Sequence, residues 1–249
     1  MSKRIRVLLW FGAFVLLLFA YLWCFGAQTF FLLQTRKIAR KAPVVRNIPV
    51  ELSDLSISQA PGKKLSYLGY EFEVPWEDLD EEKSKVTGNL AAIVFRSGSA
   101  ILLFVVPPRS FIESTEKSLQ GSTELFKRMY GEDVVHSDYA FKRAIYEATP
   151  RKITLLTSQQ DAIGLWTIIF MKSITAPMLD SEIYSIRSRD FQGFQLGNPL
   201  HRPMKMAVEL YTDDVELEFN FNQKDSGPAP AITQAEINRI IQTAHKVSP

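Results

Sequence analysis

A long uncharged run near the amino terminus constrains this chain more than any other feature. Residues 7–33 contain no charged side chain. As a helix they would extend about 40 Å, which exceeds the hydrocarbon core of a bilayer at ~30 Å. Trp10 lies near one end of the run, and Tyr21 and Trp23 lie toward the other, where aromatic rings favour the membrane interfaces. The run predicts a transmembrane helix, with the lipid bilayer as partner of residues 7–33, rather than a buried core helix.

The same run is too long for a cleaved secretory signal. Such a signal has an apolar core of about 7–15 residues and small residues before the cut. The best cut here, after Ala27, would place the bulky Phe25 three positions before it. We therefore predict that residues 1–35 are a tail and a retained signal-anchor of a single-pass protein. Basic residues flank both ends of the run, so charge leaves the orientation open. The short basic tail favours a cytoplasmic amino terminus and a domain outside the cytoplasm.

Small residues recur along one arc of the predicted span. Ala13, Ala20, Cys24 and Ala27 follow a spacing that keeps them on one helix face. Small side chains on one face let two membrane helices approach closely. This pattern predicts a weak homodimer, with coincidence in an alanine-containing span as the alternative.

The overall charge hides an uneven distribution. Residues 1–41 hold seven of the 29 Lys and Arg residues and none of the 27 Asp and Glu residues, so residues 42–249 carry about −5. A groove for a phosphate backbone needs an excess of basic side chains, so no nucleic acid partner is expected. The single cysteine excludes a disulfide framework and any metal site built from several cysteines. No cofactor and no metal ion are predicted.

A segment rich in proline and basic residues follows the span. Residues 36–64 contain Pro43, Pro49 and Pro61, and proline interrupts helices. This composition predicts an extended linker that lifts the following domain off the bilayer. The basic residues at 36–41 should attract anionic lipid headgroups.

The remaining residues, 65–249, predict one globular domain that begins with strands. Apolar and polar residues alternate over 67–74, which indicates a strand with one buried face. Two β-rich runs, 90–95 and 100–106, flank a short turn and predict a hairpin. Capping residues and apolar spacing then predict helices over 110–130 and 138–149. Residues 162–174 fit either a helix or a strand, and the spacing of their apolar residues favours a helix.

The clearest pattern of the domain lies near its carboxyl end. Residues 204–222 form two alternating runs across a turn that contains Asp213 and Asp214. The pattern predicts a hairpin that is apolar on one face and acidic on the other. A final amphipathic helix begins after Thr233, with Glu236 in capping-box position. Strands, helices, strands and a helix in this order predict an α+β fold, an antiparallel sheet with helices packed on it, preceded by one transmembrane helix.

The opening strand, Tyr-Glu-Phe-Glu-Val-Pro-Trp at residues 70–76, together with the hairpins and the terminal helix, resembles the PsbP-like α/β/α sandwich. The resemblance covers roughly residues 66–106 and 204–246 and rests on pattern, not on a diagnostic motif. The long helical middle departs from it. The family includes secreted and membrane-attached accessory proteins, so the resemblance implies an accessory role and transfers no site residue.

Few residues predict chemistry. His201 lies in a loop, and Asp213 and Asp214 could act as metal ligands or as an acid/base pair, although aspartate also favours turns. Acidic residues could line one sheet face, either solvated or docking a basic partner. They are Glu71, Glu73, Glu209, Glu216 and Glu218.

Three functions are compatible with the sequence. The predicted anchor, linker and domain favour a membrane-anchored protein-interaction or accessory module with an unknown protein partner. The alternative is a membrane-bound hydrolase or metal-dependent enzyme that uses His201 with Asp213 or Asp214. A weaker alternative is a carrier of apolar ligands, motivated by the 12% aromatic content.

Overall fold

Strands and helices follow one another in blocks, in the order that the sequence predicts. The computed structural model describes residues 3–59, 61–175, 182–200, 205–223 and 232–247. The helices of this part are α1 (Lys3–Lys41), α2 (Ser110–Ser118), α3 (Ser122–Tyr130), α4 (Asp138–Glu147), α5 (Gln159–Thr175) and α6 (Gln234–Thr243). Short 3-10 helices cover Pro43–Arg46, Glu132–Val135 and Pro150–Lys152. The strands are β1 (Val50–Glu51), β2 (Lys63–Tyr67), β3 (Tyr70–Val74), β4 (Lys85–Thr87), β5 (Leu90–Val94), β6 (Ser99–Val106), β7 (Ile183–Arg187), β8 (Gln192–Leu196), β9 (Lys205–Tyr211), β10 (Glu216–Gln223) and β11 (His245–Lys246).

These strands form a large sheet and a small one. The large sheet has eight strands in the order β1-β7-β8-β9-β10-β6-β5-β4, and β1 pairs with β7 in parallel while the other neighbours are antiparallel. The small antiparallel sheet has the order β11-β3-β2. The predicted α+β class with a mainly antiparallel sheet is confirmed.

Each face of the large sheet has its own apolar core. On one face, helices α2 to α5 pack around Phe126, Phe141 and Phe194. On the other face, α6 and the small sheet cover the sheet, and Phe72 meets Phe219 edge to face with ring centroids 5.2 Å apart. The strands β8 and β9 are therefore covered from both sides, which the prediction of helices on one apolar face did not anticipate.

The amino-terminal helix α1 continues into the domain. Its segment Ala13–Lys41 is long and apolar enough to cross a membrane, and its most apolar stretch is exposed. The apolar residues where it enters the domain are buried instead: Ala39 and Ala42 are nearly inaccessible, and Val44 and Val45 of the following 3-10 helix are fully inaccessible. The predicted extended linker is therefore wrong over its first part, because the apolar residues among the basic ones anchor the segment in the core.

Two predicted elements are interrupted by turns. The predicted strand 67–74 is the hairpin of β2 and β3, since Leu68 and Gly69 adopt positive φ angles of 54° and 83°. The predicted helix 110–130 is two helices, α2 and α3, separated at Gly121, whose φ is 79°. Apolar periodicity continues through both turns, so periodicity alone did not reveal them.

The other predicted elements of the helical middle and carboxyl end are confirmed. Ser137 caps α4 by accepting a hydrogen bond from the Ala140 amide, and residues 162–174 lie within the helix α5. The predicted hairpin across the aspartate turn is confirmed as β9 and β10, in which Leu210 pairs with Leu217 and Met206 pairs with Phe221. Thr233 and Glu236 form the predicted capping box of α6.

Candidate functional site

The two predicted aspartates do not form a pair. Asp213 and Asp214 are both exposed in the turn between β9 and β10. Asp213 lines a cleft toward α4, whereas Asp214 lines a neighbouring cleft beside His245 and Tyr70. His201 lies outside the described residues, so its predicted role with these aspartates stays a prediction. Among the residues that the structure describes, no group of three or more His, Cys, Asp and Glu side chains could hold a metal ion.

A buried ionic network links α4 to the hairpin of β9 and β10. Lys142 of α4 donates a hydrogen bond of 2.9 Å to Glu209 Oε1, and both side chains are about 95% buried. The hydroxyl of Tyr146, one helical turn after Lys142, lies 3.0 and 3.1 Å from the two oxygens of Glu209. Tyr211 donates to Glu209 Oε2 at 2.9 Å. Three donors therefore surround one carboxylate, which is what a buried charge requires.

A second carboxylate, Glu216, extends the network toward the surface. Its Oε1 atom lies 3.0 Å from the Tyr211 hydroxyl and 3.7 Å from Lys142 Nζ. The Tyr211 hydroxyl has only one proton and two carboxylates beside it. Tyr211 is the donor in both contacts, and because one hydroxyl proton cannot fully satisfy two carboxylates, the arrangement favours a protonated Glu216.

The pKa values of the network follow from burial and from these neighbours. Burial raises the pKa of Glu216 to about 7, against the opposite pull of Lys142. Burial alone would lower the pKa of Lys142, but the adjacent Glu209 and Glu216 carboxylates raise it well above its usual value. Burial and Glu209 together raise the pKa of the Tyr211 hydroxyl well above its usual value. Lys142 is therefore charged and Tyr211 neutral at pH 7, while Glu216 titrates there.

The network reaches a cleft of about 320 Å³ at the amino end of α4. The cleft is lined by Tyr211 and Glu216 together with Arg109, His136 and Asp138. Asp138 accepts a hydrogen bond from the Ile112 amide, and burial raises the pKa of its carboxyl group. The Arg109 guanidinium donates to the Val135 carbonyl at 2.9 Å. Chemically, Glu216 can take up or release one proton at the wall of this cleft near neutral pH.

The prediction that the glutamates share one exposed sheet face is wrong, because they belong to two different sheets and two of them are buried. Glu209 and Glu216 are buried under α4, with 2% and 4% of their surface accessible. Glu71 and Glu73 belong to the small sheet, where Glu71 pairs with Lys64 and Glu73 pairs with Arg239 at 2.8 Å. Because both faces of β9 are covered, the buried Glu209 of its alternating pattern required a partner.

Sequence reasoning missed the network because its partner residue is distant in sequence. Lys142 and Glu209 are 67 residues apart. A lysine on a helix and a glutamate on a strand are ordinarily assigned to solvent. The available signal was the spacing of Lys142 and Tyr146, which places both on one face of the predicted helix 138–149, next to the apolar Phe141 and Ile145.

Comparison with protein-family models, with curated proteins and with solved structures found no match. The resemblance to the PsbP-like sandwich therefore stays a prediction.

Proposed function

We propose that this is a single-pass membrane protein whose α+β domain is seated on the bilayer surface and acts as a protein-interaction or accessory module. The observation that carries the proposal is the continuity of α1, which joins an exposed apolar segment to a buried one without a break. An exposed apolar helix of this length is costly in water and stable in a bilayer.

The junction between α1 and the domain supports a fixed arrangement rather than a flexible tether. Phe31 of α1 packs on Trp166 of α5, with ring centroids 5.7 Å apart. The buried amine of Lys172 donates to the carbonyls of Asn47, Tyr146 and Ala148. This lysine joins the segment after α1 to two helices of the domain.

A turn beside α1 supports contact of the domain with lipid. Gln28 donates to the Thr157 carbonyl at 3.2 Å, so residues 154–157 lie next to the apolar part of α1. This turn carries Leu155 and Leu156, and Leu156 is 93% exposed. An apolar side chain so exposed beside a membrane helix is stabilised when it enters the bilayer.

Hydrogen bonds within the same turn satisfy backbone amides that an apolar environment would otherwise leave without a partner. The Thr154 amide donates to Thr157 Oγ1 at 2.9 Å, and the Leu156 amide donates to Thr154 Oγ1 at 3.3 Å. The Thr157 amide donates to the Thr154 carbonyl at 3.2 Å. Polar backbone groups must be satisfied internally where water is excluded, and the threonines of this turn satisfy three of its amides.

The buried ionic network supports an accessory role for the domain. Lys142 and Tyr146 of α4 both donate hydrogen bonds to Glu209 of β9, and these bonds hold α4 on the sheet. Asp213 and Asp214, the residues on which the enzyme alternative depends, are exposed in a turn and line separate clefts.

Membrane anchoring is tested by extraction and by sequencing of the mature protein. We expect the chain to stay with membranes after carbonate washing and to keep residues 7–33. Recovery in the soluble fraction, or a new amino terminus beyond residue 27, would refute anchoring. Protease treatment of intact and lysed cells then tests the proposed orientation, in which the domain is outside the cytoplasm. Cross-linking in native membranes tests the accessory role, which repeated failure to find a stable partner would contradict.

Seating on the bilayer is tested with an environment-sensitive fluorophore on a single cysteine. In a Cys24→Ala background, the label is placed at Leu156→Cys or at the matched control Leu55→Cys. Leu55 is 67% exposed and lies in the segment that hydrogen-bonds to α6. In vesicles, we expect lipid-phase quenchers to quench the label at 156 and not the label at 55. Equal quenching at both positions would refute the seated arrangement.

A further inference from the structure

Four arginines from three separate segments surround a cleft of about 280 Å³ where α1 enters the domain. Arg36 and Arg40 lie four residues apart on one face of α1, with Ala39 between them. Arg46 ends the 3-10 helix that follows α1, and Arg151 lies in the 3-10 helix Pro150–Lys152. Thr149 and Pro150 complete the lining. The fold, and not the basic run of α1 alone, therefore builds this cleft.

The charge of the cleft is uncompensated within the described part of the protein. No Asp or Glu lines it, and none of the four arginines forms an ion pair with a described residue. Like charges held close together repel one another, and an anion between them removes that repulsion. Guanidinium groups match the geometry of phosphate oxygens and bind them through two parallel hydrogen bonds.

The position of the cleft identifies the source of the anion. The uncharged run ends at Leu33, and Arg36 follows it by three residues, about 4.5 Å along the helix. Arg151 precedes the exposed Leu156 by only five residues, so basic and apolar surfaces adjoin on this side of the domain. Apolar surface followed by basic surface matches the order of the acyl and headgroup layers of a bilayer.

We infer that this cleft binds the phosphate of an anionic phospholipid headgroup, with Arg36, Arg40, Arg46 and Arg151 as the binding residues. Ala39 and Pro150 supply an apolar wall for the glycerol part of the lipid. The inference rests on the proposed membrane anchoring and adds a lipid class to it. The bound lipid would also fix the height of the domain above the bilayer, because its phosphate connects α1 to the 3-10 helix Pro150–Lys152.

Native mass spectrometry of the full chain in detergent tests the site with phosphatidylglycerol and phosphatidylcholine as probes. We expect retention of phosphatidylglycerol, and a loss of affinity of about tenfold in R36Q/R40Q, the size expected when a charge-assisted contact to phosphate is removed. R46Q/R151Q should lose a similar factor without any change in α1. The matched control is K37Q/K41Q, which removes the same charge from the same helix but outside the cleft. We expect the control to lose less than about twofold, because it removes only diffuse attraction.

The outcomes separate a built lipid site from its competitors. An equal loss in K37Q/K41Q and R36Q/R40Q would overturn the inference in favour of general surface charge. Displacement of the lipid by a large molar excess of inorganic phosphate would overturn it in favour of a soluble anion. Equal retention of phosphatidylcholine would overturn the preference for anionic lipid. Because binding in detergent does not require insertion in the cell, these failures are distinct from a failure of anchoring, which carbonate washing reports.

Discussion

Replacing Glu216 with glutamine should change how the stability of the domain depends on pH. The folded-state pKa of Glu216 is about 7, whereas its ordinary value is 4.5. A raised pKa means that the folded protein holds a proton that the unfolded chain releases between these two values. The stabilisation is fully present below pH 4.5 and is lost as the pH rises through 7. From pH 5 to pH 8, the free energy of unfolding should fall by roughly 2–3 kcal/mol through this group alone.

Urea unfolding of the full chain in detergent micelles, followed by near-ultraviolet circular dichroism, measures this effect. We expect the free energy of unfolding of E216Q to decline less with pH than that of wild type. The difference between E216Q and wild type should therefore shift in favour of E216Q by about 2–3 kcal/mol from pH 5 to pH 8. The control is E218Q on the same strand, where Glu218 is only partly buried and accepts a hydrogen bond from Asn220. Its pH profile should lie close to that of wild type, because the Glu218 charge is the smallest of the influences on the pKa of Glu216. Parallel profiles for E216Q and wild type would refute the assignment of the raised pKa to Glu216.

Three further predictions use the same unfolding measurement and concern the charge of the network, the close approach of β8 to β9, and the cap of α6. Lys142→Met should lower the free energy of unfolding by ~3–5 kcal/mol at pH 8, because it leaves buried carboxylates without a counter-charge. The double variant K142M/E209Q should recover part of that loss. If the effects of the two substitutions were simply additive, the pairing of Lys142 with Glu209 would be contradicted. Gly193→Ala should abolish folding, since its Cβ would lie 1.9 Å from the Glu209 carbonyl oxygen. Gly121→Ala, the control, should cost only about 1 kcal/mol for its positive φ. Similar costs for the two variants would refute the close approach of Gly193 to the Glu209 backbone. Thr233→Ala should cost about 1 kcal/mol through loss of the α6 cap, and Thr233→Ser should restore it.

The sequence predicted the elements whose signals are local. Alternation of apolar residues located the hairpin of β9 and β10, and the spacing of Thr233 and Glu236 located the start of α6. Both signals lie within a few residues of the feature that they report. The α+β class followed from the order of such elements and did not require knowledge of their contacts.

The parts that could not be predicted depend on contacts between distant residues. The burial of Glu209 arises from Lys142, and the burial of Val44 and Val45 arises from the helices packed around them. Proline at position 43 suggested a break in structure, but it begins a short 3-10 helix, where the missing amide proton has no cost. Sequence patterns report the periodicity of a segment and do not report which other segment will cover it.

Under the proposed membrane anchoring, the unbroken passage of α1 into the domain makes the orientation of the sheet depend on bilayer thickness. Because Phe31 and Leu32 pack on the domain, the part of the run left to cross the bilayer is residues 7–27, about 32 Å long as a helix, close to a hydrocarbon core of ~30 Å. A helix adjusts to a thinner core by tilting, and a core of about 27 Å would tilt this one by roughly 30°. Because Ala39, Ala42, Val44 and Val45 are held in the core, the domain is expected to turn with the helix. Its two clefts at the aspartate turn would then point in a direction set by the local lipid composition.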